Sequence, residues 1–132
     1  MMNMPVIDRE TIAMLREMDT MTEEDNLLIE LIDDFLFHSA DLVKAIKLSA
    51  HTQIERDLAS QSHSLKGACL NIGALALFQV CDTIETLARQ SQLGLMDELI
   101  AELESAYEKT ALRLAELYSR IKNGETIEDL LG

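Results

Sequence analysis

His63, Lys66 and Gly67 stand within five residues of one another in the stretch Ser60–Ala74, SQSHSLKGACLNIGA. The stretch reads as helix, so Lys66 at i+3 and Gly67 at i+4 share a face with the imidazole. A glycine inside a helix costs about 1 kcal/mol relative to alanine. Here the missing side chain leaves room beside the imidazole for a bulky group or for a partner's backbone. The lysine brings an ammonium toward the same ring. A nucleophilic ring nitrogen, a cation and a clearing suit a phosphoryl group held on histidine, whose nearly two negative charges Lys66 can meet with charge-assisted hydrogen bonds.

The helix that must present these residues belongs to an ordered series. Asp8 is placed to cap a short first helix, with Ile7 before it and Ile12, Leu15 and Met18 behind. Thr22 ahead of three acidic residues predicts the start of a second helix over about Glu23–Ser49. Thr52 with Glu55 is a capping-box pattern that opens a third, and Gly73 suits the left-handed residue that ends it near Ile72. A fourth is expected over about Ala74–Gln92, stopping at Gly94, and a fifth over Met96–Lys122, stopping at Asn123–Gly124. The tail ETIEDLL reads as a short helix or a frayed end. Connections of a few residues make long helices antiparallel neighbours. The expected fold is therefore all-α: an up-down-up-down four-helix bundle with an additional short N-terminal helix, forming one domain over residues 1–132.

The periodicity also says which way His63 points. Ile54, Leu58, Ser62, Leu65, Cys69 and Ile72 fall within a sector roughly 80° wide at 100° per residue, the core stripe. His63 lies roughly 145° from its middle and faces water, among Arg56, Ala59, Gly67 and Leu70. On the second helix Leu28, Ile32, Phe35, Val43 and Ile46 form the inward set. On the last it is Met96, Ile100, Leu103, Tyr107, Leu114 and Ile121. His38 and His51 lack comparable neighbours and read as ordinary surface residues. Cys69 and Cys81 form no CxxC pair, lie on apolar stripes and read as small core residues.

Composition excludes several classes. A net charge of −13 argues against a nucleic-acid or anionic-membrane surface. No apolar run approaches the roughly 20 residues that span a bilayer, and the N-terminus lacks a signal-peptide pattern, so a cytoplasmic location is expected. A di-metal bundle enzyme would need Glu-x-x-His, yet Phe35, Leu48 and Ser60 stand three residues before the histidines.

HSLKGACLNIGA (63–74) resembles the signature of histidine-containing phosphotransfer (HPt) domains: histidine, any residue, Leu, Lys, Gly, small residues, then an aliphatic–Gly pair. LFQVCDTIETLAR (77–89) is similar to the family's following helix, and LIDDFL (31–36) to its Phe-bearing segment. Ser62 stands where alanine is commoner. Glu85 stands where some members place a glutamine reaching the imidazole, which makes it a candidate support for that ring. The resemblance implies a phosphorelay intermediate that carries a phosphoryl group on His63 between receiver-domain aspartates. Lys66 would steady the phosphate, Gly67 would keep the approach open, and Ala59, Gly67 and Leu70 would contact the receiver. The partners implied are response-regulator receiver domains and a hybrid histidine kinase. The protein itself would be a monomer with no cofactor or metal, and without a glycine-rich nucleotide loop it would be a phosphocarrier with no ATP-dependent kinase activity. The alternative is an adaptor that binds receiver domains without phosphotransfer.

Overall fold

The computed structural model describes residues 4–20 and 26–131. Six helices follow in order: α1 (Arg9–Thr20), α2 (Leu27–Thr52), α3 (Glu55–Ile72), α4 (Leu75–Arg89), α5 (Met96–Lys122) and α6 (Ile127–Leu131). No strand occurs among the described residues. The four longest elements pack in a ring, α2 on α3, α3 on α4, α4 on α5 and α5 back on α2, with α1 laid on α2. Connections as short as Gln53–Ile54 and Gly73–Ala74 force each helix to reverse on its predecessor.

The ring closes on the predicted stripes. Leu28, Ile32, Phe35, Val43 and Ile46 are buried on α2, and Leu58, Ser62, Leu65, Cys69 and Ile72 on α3. On α5, Met96, Leu103, Leu114 and Ile121 are buried, while Ile100 and Tyr107 pack partly covered at its edge. Two polar clasps cross the ring, Ser39 with Tyr107 at 3.0 Å and Ser49 with Gln61 at 2.8 Å.

The closely packed α3 and α4 carry small buried side chains, Ala59, Ser62 and Cys69 on the first and Cys81 and Ala88 on the second. Small residues let helix axes approach closely. Cys69 and Cys81 are free buried thiols, and the neighbouring Cys81 thiol, together with burial, pushes Cys69 far above the ordinary thiol range. Among the described residues, the Ser62 hydroxyl is a buried polar group without a partner. A buried hydroxyl without a partner costs stability that an alanine at this position would not.

Several helix ends differ from the sequence expectation. The capping box at Thr52 and Glu55 does not form: α2 runs on to Thr52, whose hydroxyl donates to the Leu48 carbonyl at 2.9 Å. Gln53 takes the left-handed conformation (φ 58°) that ends α2, and Ile54 precedes α3 in extended backbone, 47% exposed and outside the core. Similarly, α4 stops at Arg89 because Ser91 turns left-handed (φ 56°), three residues before Gly94. The Thr22–Glu23 cap lies outside the described residues. The Leu28 amide in the first turn of α2 is received by the buried carboxylate of Asp19 on α1, at 3.2 Å. On α1, Ile12 and Leu15 are buried and Met18 is exposed. The tail is helical, held by Arg9 donating to the Leu131 carbonyl and Arg120 to that of Asp129.

Gly73 ends α3 as expected, at φ 78°. It also joins the N-terminal segment to the bundle: the Asp8 amide donates to the Gly73 carbonyl at 2.8 Å, and the Ala76 amide to that of Pro5 at 3.0 Å. A Cβ at Gly73 would lie 2.8 Å from Thr11 Cβ on α1, whereas one at Gly124 (φ 81°) would meet nothing. Gly73→Ala should therefore cost more than the 1–2 kcal/mol typical of a left-handed alanine, and Gly124→Ala no more than that. Urea unfolding of the two variants checks this, and equal losses would deny the close approach of α1.

Candidate functional site

The site sits on the α3–α4 seam. His63, Lys66, Gly67 and Leu70 succeed one another at spacings of three, one and three along the outward face of α3. Asp82, Glu85 and Arg89, at spacings of three and four, line the facing side of α4.

Glu85 joins the two helices. Its side chain is only 8% exposed, and it receives three other side chains. One oxygen, Oε2, lies 3.0 Å from His63 Nδ1 and accepts from Arg89 Nη2 at 2.7 Å and Nε at 2.9 Å. The other, Oε1, meets Lys66 Nζ at 2.7 Å and lies 3.3 Å from His63 Nδ1. Burial alone would raise the Glu85 pKa. The hydrogen bonds from Lys66 and Arg89, with the charges of Lys66 and His63, outweigh it and hold the carboxyl at about 2. The carboxylate is thus ionised and accepts only, which places the imidazole proton on Nδ1 and leaves the Nε2 lone pair outward. Among the described residues nothing bonds to Nε2, and the imidazole is 63% exposed.

Lys66 is shared: its ammonium also lies 3.2 Å from Asp82 Oδ1, and the two carboxylates, Glu85 first, raise its pKa above the ordinary 10.5. At Gly67 an added Cβ would find no atom within 4 Å, so the face beside the imidazole is open. Leu70 continues that face, 57% exposed.

The structure therefore brings His63, Lys66, Gly67 and Glu85 together and leaves Leu70 outward at the rim. Ala59 is a correction. It is 5% exposed and belongs to the core, so it cannot offer an exposed contact. The end of α4 and the turn after it flank this part of α3, where Ser91 donates to Glu55 at 2.7 Å. Arg89 and Asp82 escaped sequence reasoning. Their spacing from Glu85 was visible in the chain, but nothing local showed that this face of α4 meets His63. His38 and His51 are exposed, and among the described residues neither has a carboxylate partner. No group of three histidine, cysteine or acidic side chains converges as metal ligands among the described residues.

The model of the Hpt domain family matches residues 30–124. The chain belongs to the Hpt domain family. Hpt domains are phosphocarriers that work with receiver domains and histidine kinases, and the activity of this member is histidine phosphotransfer in a phosphorelay. Among solved structures, the histidine-containing phosphotransfer protein B (HptB) of Pseudomonas aeruginosa PAO1 shares the fold, with a TM-score of 0.79. The two are 24% identical, and the match covers 89% of this chain and 98% of that one. No curated protein gives a significant match. Among the described residues no helix of this Hpt protein is long and apolar enough to cross a membrane.

The Glu85 network makes stability pH-dependent with a definite sign. A carboxylate whose folded pKa is depressed stabilises the fold above its unfolded value, and that contribution disappears as pH falls through the folded one. The window here runs from 4.5 down to about 2. Glu85→Gln should therefore be less stable than wild type near neutrality, by on the order of 2 kcal/mol, with the gap closing between those limits. Denaturant unfolding across pH tests it, and a gap independent of pH would show that Glu85 is not held ionised by its partners.

Proposed function

We propose that His63 is the phosphoacceptor of this Hpt protein and that Nε2 is the attacking atom. The observation that carries the reading is the orientation of the ring: Nδ1 is engaged by a buried carboxylate while Nε2 faces open solvent. In the forward step Nε2 forms a bond to phosphorus as the P–O bond of the receiver's acyl phosphate breaks. The receiver's aspartate leaves as a free carboxylate. The Nδ1 proton stays where it is, and the positive charge that develops on the ring is met by Glu85 at 3.0 Å. No proton has to move in this step. The reverse step returns the phosphoryl group to a second receiver with the same atoms.

Lys66 lies beside the acceptor and can hydrogen-bond the incoming phosphoryl oxygens. Gly67 and Leu70 form the approach for the receiver domain. Mg²⁺ and the rest of the chemistry at the aspartate belong to the partner. We infer a monomeric carrier over residues 1–132, supplied by a hybrid histidine kinase and without kinase activity of its own. Its net charge of −13 supports a protein that avoids nucleic acid and anionic lipid, and we propose that it works in the cytoplasm.

His63→Gln should fold normally, since the ring is mostly in water, and should take no phosphoryl group from a phosphorylated receiver. On wild type the label should be acid-labile and alkali-stable, as a P–N bond is. Label that persists in the variant would move the acceptor elsewhere.

Gly67→Gln separates the clearing from a mere helix defect. Replacing a mid-helix glycine by a good helix former should stabilise the protein by up to about 1 kcal/mol, because the added Cβ meets nothing. The longer side chain should reach over the imidazole and slow receiver transfer by about tenfold or more, roughly 1.4 kcal/mol in the barrier. Thermal unfolding and transfer kinetics measured together test this. Transfer at the wild-type rate would remove the steric role of Gly67.

A further inference from the structure

We propose that Asp82 is an exchangeable counter-ion for Lys66, holding the ammonium before phosphorylation and surrendering it to the phosphoryl group afterwards. This rests on His63 being the acceptor, and it assigns to Asp82 the setting of how strongly the site retains its load.

Lys66 Nζ contacts two carboxylates that differ sharply. Glu85 is 8% exposed, 2.7 Å away, and tied also to His63 and Arg89. Asp82 is 53% exposed, lies 3.2 Å away, and has Lys66 as its one ion-pair partner among the described residues. The charges of the four side chains Lys66, Arg89, Asp82 and Glu85 cancel beside the imidazole. A phosphoryl group on Nε2 adds nearly two negative charges beside them. The ammonium can then turn toward the phosphoryl oxygens only by loosening one of its present bonds. Releasing Glu85 would leave a buried carboxylate short of a partner, which is costly. Releasing Asp82 returns a half-exposed carboxylate to water at little cost. The geometry thus singles out Asp82 as the bond that gives way, and until it does Asp82 competes with the phosphoryl group for the same cation.

Removing the competitor should raise phosphohistidine occupancy. Wild type, Asp82→Asn, Lys66→Ala and the double variant are each equilibrated with a fixed ratio of N-phosphoimidazole to imidazole, with no receiver present. This pair exchanges a phosphoryl group with a ring nitrogen, one P–N bond forming as another breaks. Phosphorus NMR, with His63→Gln as the blank, gives the ratio of phosphohistidine to histidine at position 63. Asp82→Asn should raise that ratio about two- to fivefold at low salt, the span expected of an exposed ion pair. The gain should shrink toward nothing near about 1 M salt and be absent in the Lys66→Ala background. An unchanged or lowered ratio would overturn the proposal, since Asp82 would then be idle or only brace the lysine. A full gain without Lys66 would overturn it too, leaving simple repulsion. If position 63 takes no phosphoryl group in wild type, the acceptor assignment fails and the proposal with it. Phosphorylation of His63 with equal ratios across the variants rejects Asp82 alone.

Discussion

The carboxylate of Glu85 is the interaction on which the site depends. A buried carboxylate is tolerated only when it is paired, and this one has Lys66 on one oxygen and Arg89 on the other. Pairing keeps it charged, and its charge fixes which nitrogen of His63 holds the proton. The consequence extends to the helices. Histidine and lysine come from α3, glutamate and arginine from α4, so the cluster has its geometry only while the two cross closely. The small buried side chains Ser62, Cys69, Cys81 and Ala88 permit that crossing. Packing and electrostatics are therefore two aspects of one seam.

What the sequence made legible was the facing of residues within a helix, though not Ile54, which was expected on the α3 stripe and lies exposed ahead of the helix. The stripe Leu58, Ser62, Leu65, Cys69 and Ile72 is buried as its spacing requires, and Gly73 ends α3 as its freedom at positive φ requires. His63 and Gly67 face outward by the same arithmetic. What failed was of two kinds. Gln53 and Ser91 take left-handed backbone without being glycine, so the ends of α2 and α4 carried no readable stop. Thr52, freed from the capping role its type suggested, back-bonds within α2. Ala59 shows the second kind. Its angle on the helix is close to that of His63, but angle does not reveal what a neighbouring helix covers. Asp82 and Arg89 stayed hidden for the same reason, since their importance arises only where α4 meets α3.

The match to the family begins within α2, at residue 30, so α1 lies outside it. Even so, α1 is bound into the bundle at both ends. Its entry is fixed at Gly73 and its last turn receives the Leu28 amide through Asp19. These attachments sit at the far end of α3 from its first turns, ten residues along the helix from His63 at Gly73. The bundle is thus braced at one end while the His63 face midway along α3 is left unencumbered.

That unencumbered face has a cost of its own. With no side chain at Gly67 and most of the imidazole in water, the ring nitrogen proposed as the acceptor is open to a water molecule as well as to a protein. Among the described residues nothing would bury a phosphoryl group placed on His63. Its survival between partners falls to the charges around it, so the protein stores its cargo in the open and is a reservoir with a built-in leak. If His63 is the acceptor as proposed, the signal has a finite memory, and its length is set by the four charged side chains beside the ring on two helices.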